Sequence, residues 1–234
     1  MRRVRLSSGN LYLLFFLIFG FVVSYRTAFP LGFDTKFFGI SLDATSTELI
    51  SSLGLSDPGN YMRVAVDLQD LTLSAENGWI LNLWPPGMPL YLTVLTFISG
   101  NGNPTAISTL IFISLWSVLY AILMSILISK RYFFLSVVFS YLWLFSPLLT
   151  GYNTDYGVLA TDGISSVIMA FAVILVFRLM SKRMPMTQNM FVLSVVIGFI
   201  WAIAAHFRMV WTFTIFASIV FSYILFFLGT QIKK

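Results

Sequence analysis

Six stretches of this chain are almost continuously apolar, and its polar residues collect between them. The stretches are residues 11–29, 105–128, 133–149, 162–177, 190–205 and 209–229. A helix rises 1.5 Å per residue, so about twenty apolar residues cross the hydrocarbon core of a bilayer. The pattern therefore predicts an all-α polytopic membrane protein with about six transmembrane helices. Only helices, or closed barrels, satisfy every backbone polar group inside lipid. The three basic residues Arg2, Arg3 and Arg5 before the first stretch resemble the start of a signal peptide. The apolar run is long and its exit has no small-x-small cleavage pattern, so we read it as a retained first span.

The interval 30–104 is too long for a structureless connection, and loops of that size usually carry function. Within it, Tyr61, Val64, Ala65, Leu68 and Leu71 fall on one face of a helical pattern over 60–73. Arg63 and Asp67 stand as an i,i+4 pair on the other side. This predicts a helix lying along the membrane surface. The segment Asn82-Leu-Trp-Pro-Pro-Gly-Met-Pro-Leu90 ends any helix, and Pro89 suits the first turn of the next. Residues 89–99 are apolar but too few to cross, which predicts a re-entrant or interfacial helix. The expected organisation is thus a cytoplasmic N-terminus with one span over 1–29, an outer loop with juxtamembrane helices over 30–104, and a bundle of about five spans over 105–234.

Charge orients the scheme. With a cytoplasmic N-terminus, the inner segments hold Arg2, Arg3, Arg5, Lys130, Arg131, Arg178, Lys182, Arg183, Lys233 and Lys234. The Lys/Arg bias puts those segments inside, and both termini with them. All nine carboxylates then lie outside: Asp34, Asp43, Glu48, Asp57, Asp67, Asp70, Glu76, Asp155 and Asp162. Composition agrees, at 58% hydrophobic and 10% charged residues, where a soluble domain has about 25% charged. The net charge of +5 comes from the inner segments, suits an anionic leaflet and requires no nucleic acid. There is no cysteine, so disulfides and thiolate metal sites are excluded. The one histidine, His206, cannot make a metal site alone.

The outer face therefore holds the candidate chemistry. Asp57 in Ser56-Asp57-Pro58-Gly59 fits two roles. It is a good helix N-cap with proline following at N1, and it is a potential base for an acceptor hydroxyl or amine. Asp162 opens the fourth span, where an unpaired carboxylate at the edge of hydrocarbon is costly; helix capping is its structural alternative. Arg208 suits bidentate binding of a lipid-linked phosphate, or snorkelling to headgroups. His206 reads as an interfacial hydrogen-bonding residue. Trp79 and Trp84 could shape a sugar or lipid pocket, although tryptophan at an interface is ordinary. Asp155 is a more exposed acid in the loop 150–161. No internal repeat marks a transporter, and no carboxylate falls at mid-membrane depth.

The order of these pieces resembles the GT-C superfamily of polyprenyl-phosphate-dependent glycosyltransferases, in the bacterial branch of protein mannosyltransferase-like and aminoarabinose-transferase-like enzymes. The motifs that carry it are Asp57-Pro-Gly-Asn-Tyr61-Met-Arg-Val-Ala65, then Trp84-Pro-Pro-Gly-Met-Pro-Leu90, Thr161-Asp162-Gly163 and Arg208. The likeness runs from Leu11 to about Phe227. Pro58 stands where the family often has a second acid, Leu83-Trp84 where several members have Glu-Lys, and Met88 where an aromatic is usual. Members are generally longer, so the resemblance implies a short, truncated or split form.

It also implies an inverting glycosyltransferase of the bacterial inner membrane that moves a sugar from a polyprenyl-phosphate donor to a lipid, glycan or protein acceptor outside. Asp57 and Asp162 would be catalytic. Tyr61, Arg63, Trp84, Asp155 and Arg208 would bind substrate, and a divalent cation, Mg²⁺ or Mn²⁺, is an open requirement. The alternative is a non-catalytic membrane subunit of an envelope polysaccharide assembly or transport system.

Overall fold

The computed structural model describes residues 8–28, 36–37, 40–41, 45–100, 103–146, 161–181, 188–208 and 212–213. The fold is all-α. In chain order the helices are α1 Ser8–Ala28, α2 Ser46–Leu53, α3 Asp57–Gln69, α4 Ala75–Leu83, α5 Gly87–Ser99, α6 Thr105–Ser129, α7 Phe133–Leu144, α8 Thr161–Ser181 and α9 Gln188–Phe207. The only departure among the described residues is a two-residue antiparallel ladder, with Lys36 opposite Ser41 and Phe37 opposite Ile40.

The long helices form a bundle around α6. Gly20 lets α1 lie directly on the Tyr120 ring: a Cβ there would sit 2.6 Å from Tyr120 Cδ1. Phe16 meets the same ring edge-on at 6.3 Å. Across α6 the Tyr120 hydroxyl lies 3.0 Å from Ser140 Oγ on α7, so one tyrosine joins three helices. The Trp116 and Trp143 rings stack at 4.3 Å between α6 and α7. On the other flank α8 packs on α6 and α9, with the small residues Ala172 and Ala204 fully buried beside Met169.

Between α1 and α6, helices α2 to α5 fold as a separate helical layer, the one the sequence reading puts at the outer face. Thr45 and Glu48 make a reciprocal capping box at the start of α2, which satisfies two otherwise free backbone donors. Helix α3 packs against α2, α4 and α5. Tyr61, Met62, Val64 and Ala65 of α3 share one continuous core with Leu49 of α2, Leu92 of α5, Ile113 and Trp116 of α6 and Ile164 of α8. The outer layer is thus seated on the bundle through a common apolar interior. Burial of each large side chain stabilises this by about 1.5–3 kcal/mol.

Several expectations are corrected in detail. The surface helix runs over Asp57–Gln69, three residues earlier at its start than the expected 60–73. Leu71 lies past its end, 93% exposed with φ 57°; Met62 takes its place in the buried face. Arg63 and Asp67 do not pair with each other. Arg63 instead donates to Asn60 Oδ1 at 3.0 Å and to the Gly54 carbonyl at 2.9 Å, closing the α2–α3 turn. Asp67 accepts from Ser74 N at 3.0 Å, Ser74 Oγ at 2.9 Å and Asn77 Nδ2 at 2.9 Å, tying α3 to α4. Burial pushes the Asp67 carboxyl up, but those hydrogen bonds outweigh it and hold it below its usual range. Helix α7 ends at Leu144, short of the expected 149, and the expected span 209–229 lies almost wholly outside the described residues.

Two helices among the described residues are long and apolar enough to cross a membrane, Asn10–Thr27 and Thr105–Ser129. Shorter apolar helices are Gly87–Ser99, Phe133–Leu144, Asp162–Val176 and Phe191–Phe207. Large hydrophobic side chains face outward along this bundle: Phe15 and Ile18 on α1, Phe134 and Val137 on α7, Phe191 and Phe199 on α9. Exposed apolar side chains thus stand on three of the bundle helices.

Candidate functional site

Ser56 and Asp57 stand at the junction of α2 and α3. The expectation that Asp57 caps α3 is displaced by one residue. Ser56 is the N-cap: its hydroxyl accepts from Gly59 N at 3.3 Å and donates to the Leu53 carbonyl at 2.7 Å. Asp57 occupies N1 and Pro58 N2, so the Asp57 carboxylate is relieved of capping. It is exposed and accepts no hydrogen bond among the described residues. It remains in the first turn, where the amide dipoles favour a negative charge.

One turn along α3, Tyr61 is 4% exposed. Its phenol is pushed up to about 12, first by burial and then by the Asp57 charge, while Arg208 pulls the other way. Both charges therefore act on one buried hydroxyl. At neutral pH that hydroxyl stays protonated and is available as a donor.

Arg208 comes from the far end of the chain. It follows the last residue of α9, and its backbone N–H bonds the Ala204 carbonyl at 3.1 Å. Its guanidinium forms an ion pair with Asp162, in the first turn of α8. The two side chains are 45% and 53% exposed. An ion pair this open to solvent contributes little, about 0–1 kcal/mol, so a competing anion can take the place of Asp162 on Arg208.

The Pro-Pro-Gly segment sets the position of Arg208. Pro86 is the N-cap of α5, and Gly87 begins the helix against the end of α9. A Cβ on Gly87 would lie 2.5 Å from the His206 carbonyl oxygen and 2.9 Å from Phe207 N. Only glycine permits that approach, because both obstacles are backbone. Tyr91 of α5 then meets the Phe207 ring at 5.7 Å. The N-terminus of α5 thus clamps the two residues before Arg208. Sequence reasoning took this glycine only as a helix breaker, and nothing in the pattern of α5 itself pointed to its partner.

Asp57, Tyr61, Arg208 and Asp162 are linked: the Asp57 and Arg208 charges both act on the Tyr61 phenol, and Arg208 pairs with Asp162. The other candidates do not join them as free groups. Arg63 is engaged by Asn60 and Gly54. Trp84 is the C-cap of α4 and 39% exposed, and His206 is exposed in the last turn of α9. Asp155 lies outside the described residues. Among the described residues no group of three or more His, Cys, Asp or Glu could hold a metal ion. Among those residues Asp162 is paired with Arg208. Compared with known protein families, with characterised proteins and with solved structures, the chain gives no match.

Proposed function

We propose that this protein is a multi-pass membrane glycosyltransferase that transfers a sugar from a polyprenyl-phosphate donor to an acceptor at the outer face. The observation that carries the reading is the convergence of Asp57, Tyr61, Arg208 and Asp162, drawn from three distant parts of the chain. Support for the membrane comes from the two spanning-length helices and the outward apolar surface. The Lys/Arg bias of the inner segments orients it in this reading, with both termini cytoplasmic and about six spans.

In this reading an acceptor hydroxyl attacks the anomeric carbon of the donor and its proton passes to the Asp57 carboxylate. The bond from that carbon to the lipid-phosphate oxygen breaks, and its electron pair leaves with the phosphate, inverting the centre. Arg208, drawn from its weak pair with Asp162, neutralises the charge that develops on the leaving phosphate. Asp162 restrains Arg208 before substrate arrives. Tyr61 stays protonated and is available as a donor beside Asp57.

The test is transfer of radiolabel from polyprenyl-phosphate sugars by the purified protein, with and without Mg²⁺ or Mn²⁺. Transfer that Arg208→Gln abolishes supports the reading. No transfer from any donor, with Asp162→Asn and Arg208→Gln changing only melting, would leave a non-catalytic envelope subunit in which the ion pair is a clasp between α8 and α9.

A further inference from the structure

At the opposite end of the bundle, an apolar groove of about 760 Å³ opens between α1 and the turn from α6 to α7. Leu11, Leu14, Phe15 and Ile18 line one wall, and Ile128 and Phe133 close its end. The lining is almost entirely hydrocarbon and aromatic; the Tyr12 hydroxyl is its one polar side-chain group. Phe15, Ile18 and Phe133 are 59%, 57% and 62% exposed, so the groove is open along its side.

Lys130 and Arg131 stand in the turn between the lining residues Ile128 and Phe133, which puts two cations beside the groove. Lys130 and Arg131 are both exposed, and neither has an acidic partner among the described residues. The turn that presents them is closed by backbone bonds, Arg131 N to the Ile128 carbonyl at 2.9 Å and Tyr132 N to the Leu127 carbonyl at 3.0 Å. Arg131 holds φ 60° in this turn. That left-handed position at a helix C-terminus is the one glycine ordinarily takes. A long cationic side chain stands there instead, at a cost in backbone strain.

An apolar slot with two cations beside it, neither with an acidic partner among the described residues, has the two-part chemistry of one ligand class. The geometry points to a binding site for a single anionic phospholipid of the cytoplasmic leaflet, with an acyl chain in the α1–α6–α7 groove and its phosphate at Lys130 and Arg131. This rests on the membrane reading of α1 and α6. Charge complementarity selects the headgroup, because basic residues at an inner surface attract anionic lipid. The groove selects attachment at this place rather than anywhere around the bundle.

The experiment places the full-length protein in phosphatidylcholine bilayers with phosphatidylglycerol carrying a photoactivatable group near one chain end. Cross-linked peptides are mapped, and unlabelled phosphatidylglycerol, phosphatidylcholine and inorganic phosphate compete. Adducts should concentrate in residues 11–18 and 128–133, with phosphatidylglycerol competing roughly tenfold better than phosphatidylcholine. Lys130→Gln with Arg131→Gln should bring that ratio near one. Ile18→Trp, which fills the slot, should remove the adducts without changing the charge, and Arg26→Gln at the other end of α1 should change neither. Failure of the protein to enter the bilayer would overturn the membrane reading and the site together. Entry with adducts spread equally over α1, α7 and α9, or equal competition by inorganic phosphate, would overturn the lipid site alone.

Discussion

A carboxylate in the first turn of a helix is favoured by the local dipoles whether or not it does chemistry, so Asp57 must be judged by what else binds it. Ser56 has taken the capping role, which frees the Asp57 oxygens. Asp57→Asn keeps size and removes the base. Its dipole interaction is worth ~0.5 kcal/mol, so melting should stay near wild type while transfer falls roughly a hundredfold or more. Wild-type turnover in this variant would exclude the base assignment. The buried phenol offers a second measurement. Tyr61 is raised from its ordinary 10.0 to about 12, and for an acid the protonated form is then favoured in the folded state. Its stabilising contribution is fully present below about pH 10 and is lost as pH rises toward about 12. The tyrosinate absorbance of wild type minus Tyr61→Phe should therefore titrate near 12; a midpoint near 10 would mean the phenol is neither buried nor beside Asp57. Asp57, Asp162 and Arg208 stand out in the sequence because charge is sparse there, while the pairing of the last two does not show in it. The one-residue shift of the cap was not legible, since Ser and Asp both cap well and lie side by side.

Helices α3 and α5 were legible from periodicity and from the Pro-Pro-Gly break, and the long apolar runs foretold α1 and α6. Helices α2 and α4 were missed because eight or nine residues carry too little periodicity to read. The Thr45–Glu48 capping pattern was the available signal for α2. Contacts across elements were beyond reach: Arg63 and Asp67 look like an i,i+4 pair, yet turn-closing partners on either side win both. The same limit hid Gly87. Its Cβ would strike the backbone of His206 and Phe207, which cannot rotate away as a side chain can. Gly87→Ala should destabilise the protein by about 1–3 kcal/mol and should shift Arg208 as well. A lowered melting temperature with weakened donor binding is the expected pair of results. Unchanged melting would show that α5 and α9 are not in this contact. Asp67→Ala tests the neighbouring joint. Losing the bonds to Ser74 and Asn77 should cost about 1–3 kcal/mol, seen as faster proteolysis in the α3–α4 loop with α6 still protected.

At the scale of the whole molecule, polarity is divided between two ends. The outer layer and the ion pair of Asp162 with Arg208 stand at one end of the bundle, and Lys130 and Arg131 at the other. Helix α6 connects them: Thr105 opens it beside the outer layer and Ser129 closes it at the basic turn. Its 25 residues rise about 37 Å at 1.5 Å each, enough to cross the hydrocarbon core with some tilt. In the proposed reading the Lys/Arg bias sets the direction of that crossing, and with it the side on which the proposed site lies. The chain has no cysteine, so one introduced thiol reports without background. Ser51→Cys on exposed α2 should react in intact cells with a maleimide that cannot cross the membrane. Ser129→Cys, exposed beside Lys130, should react only after the cells are opened. Both positions are exposed in the folded chain, so a difference between them measures the membrane and not burial. Labelling of Ser129→Cys with protection of Ser51→Cys would reverse the orientation and move the proposed site to the cytoplasm. Labelling of both in intact cells would mean that α6 does not cross at all.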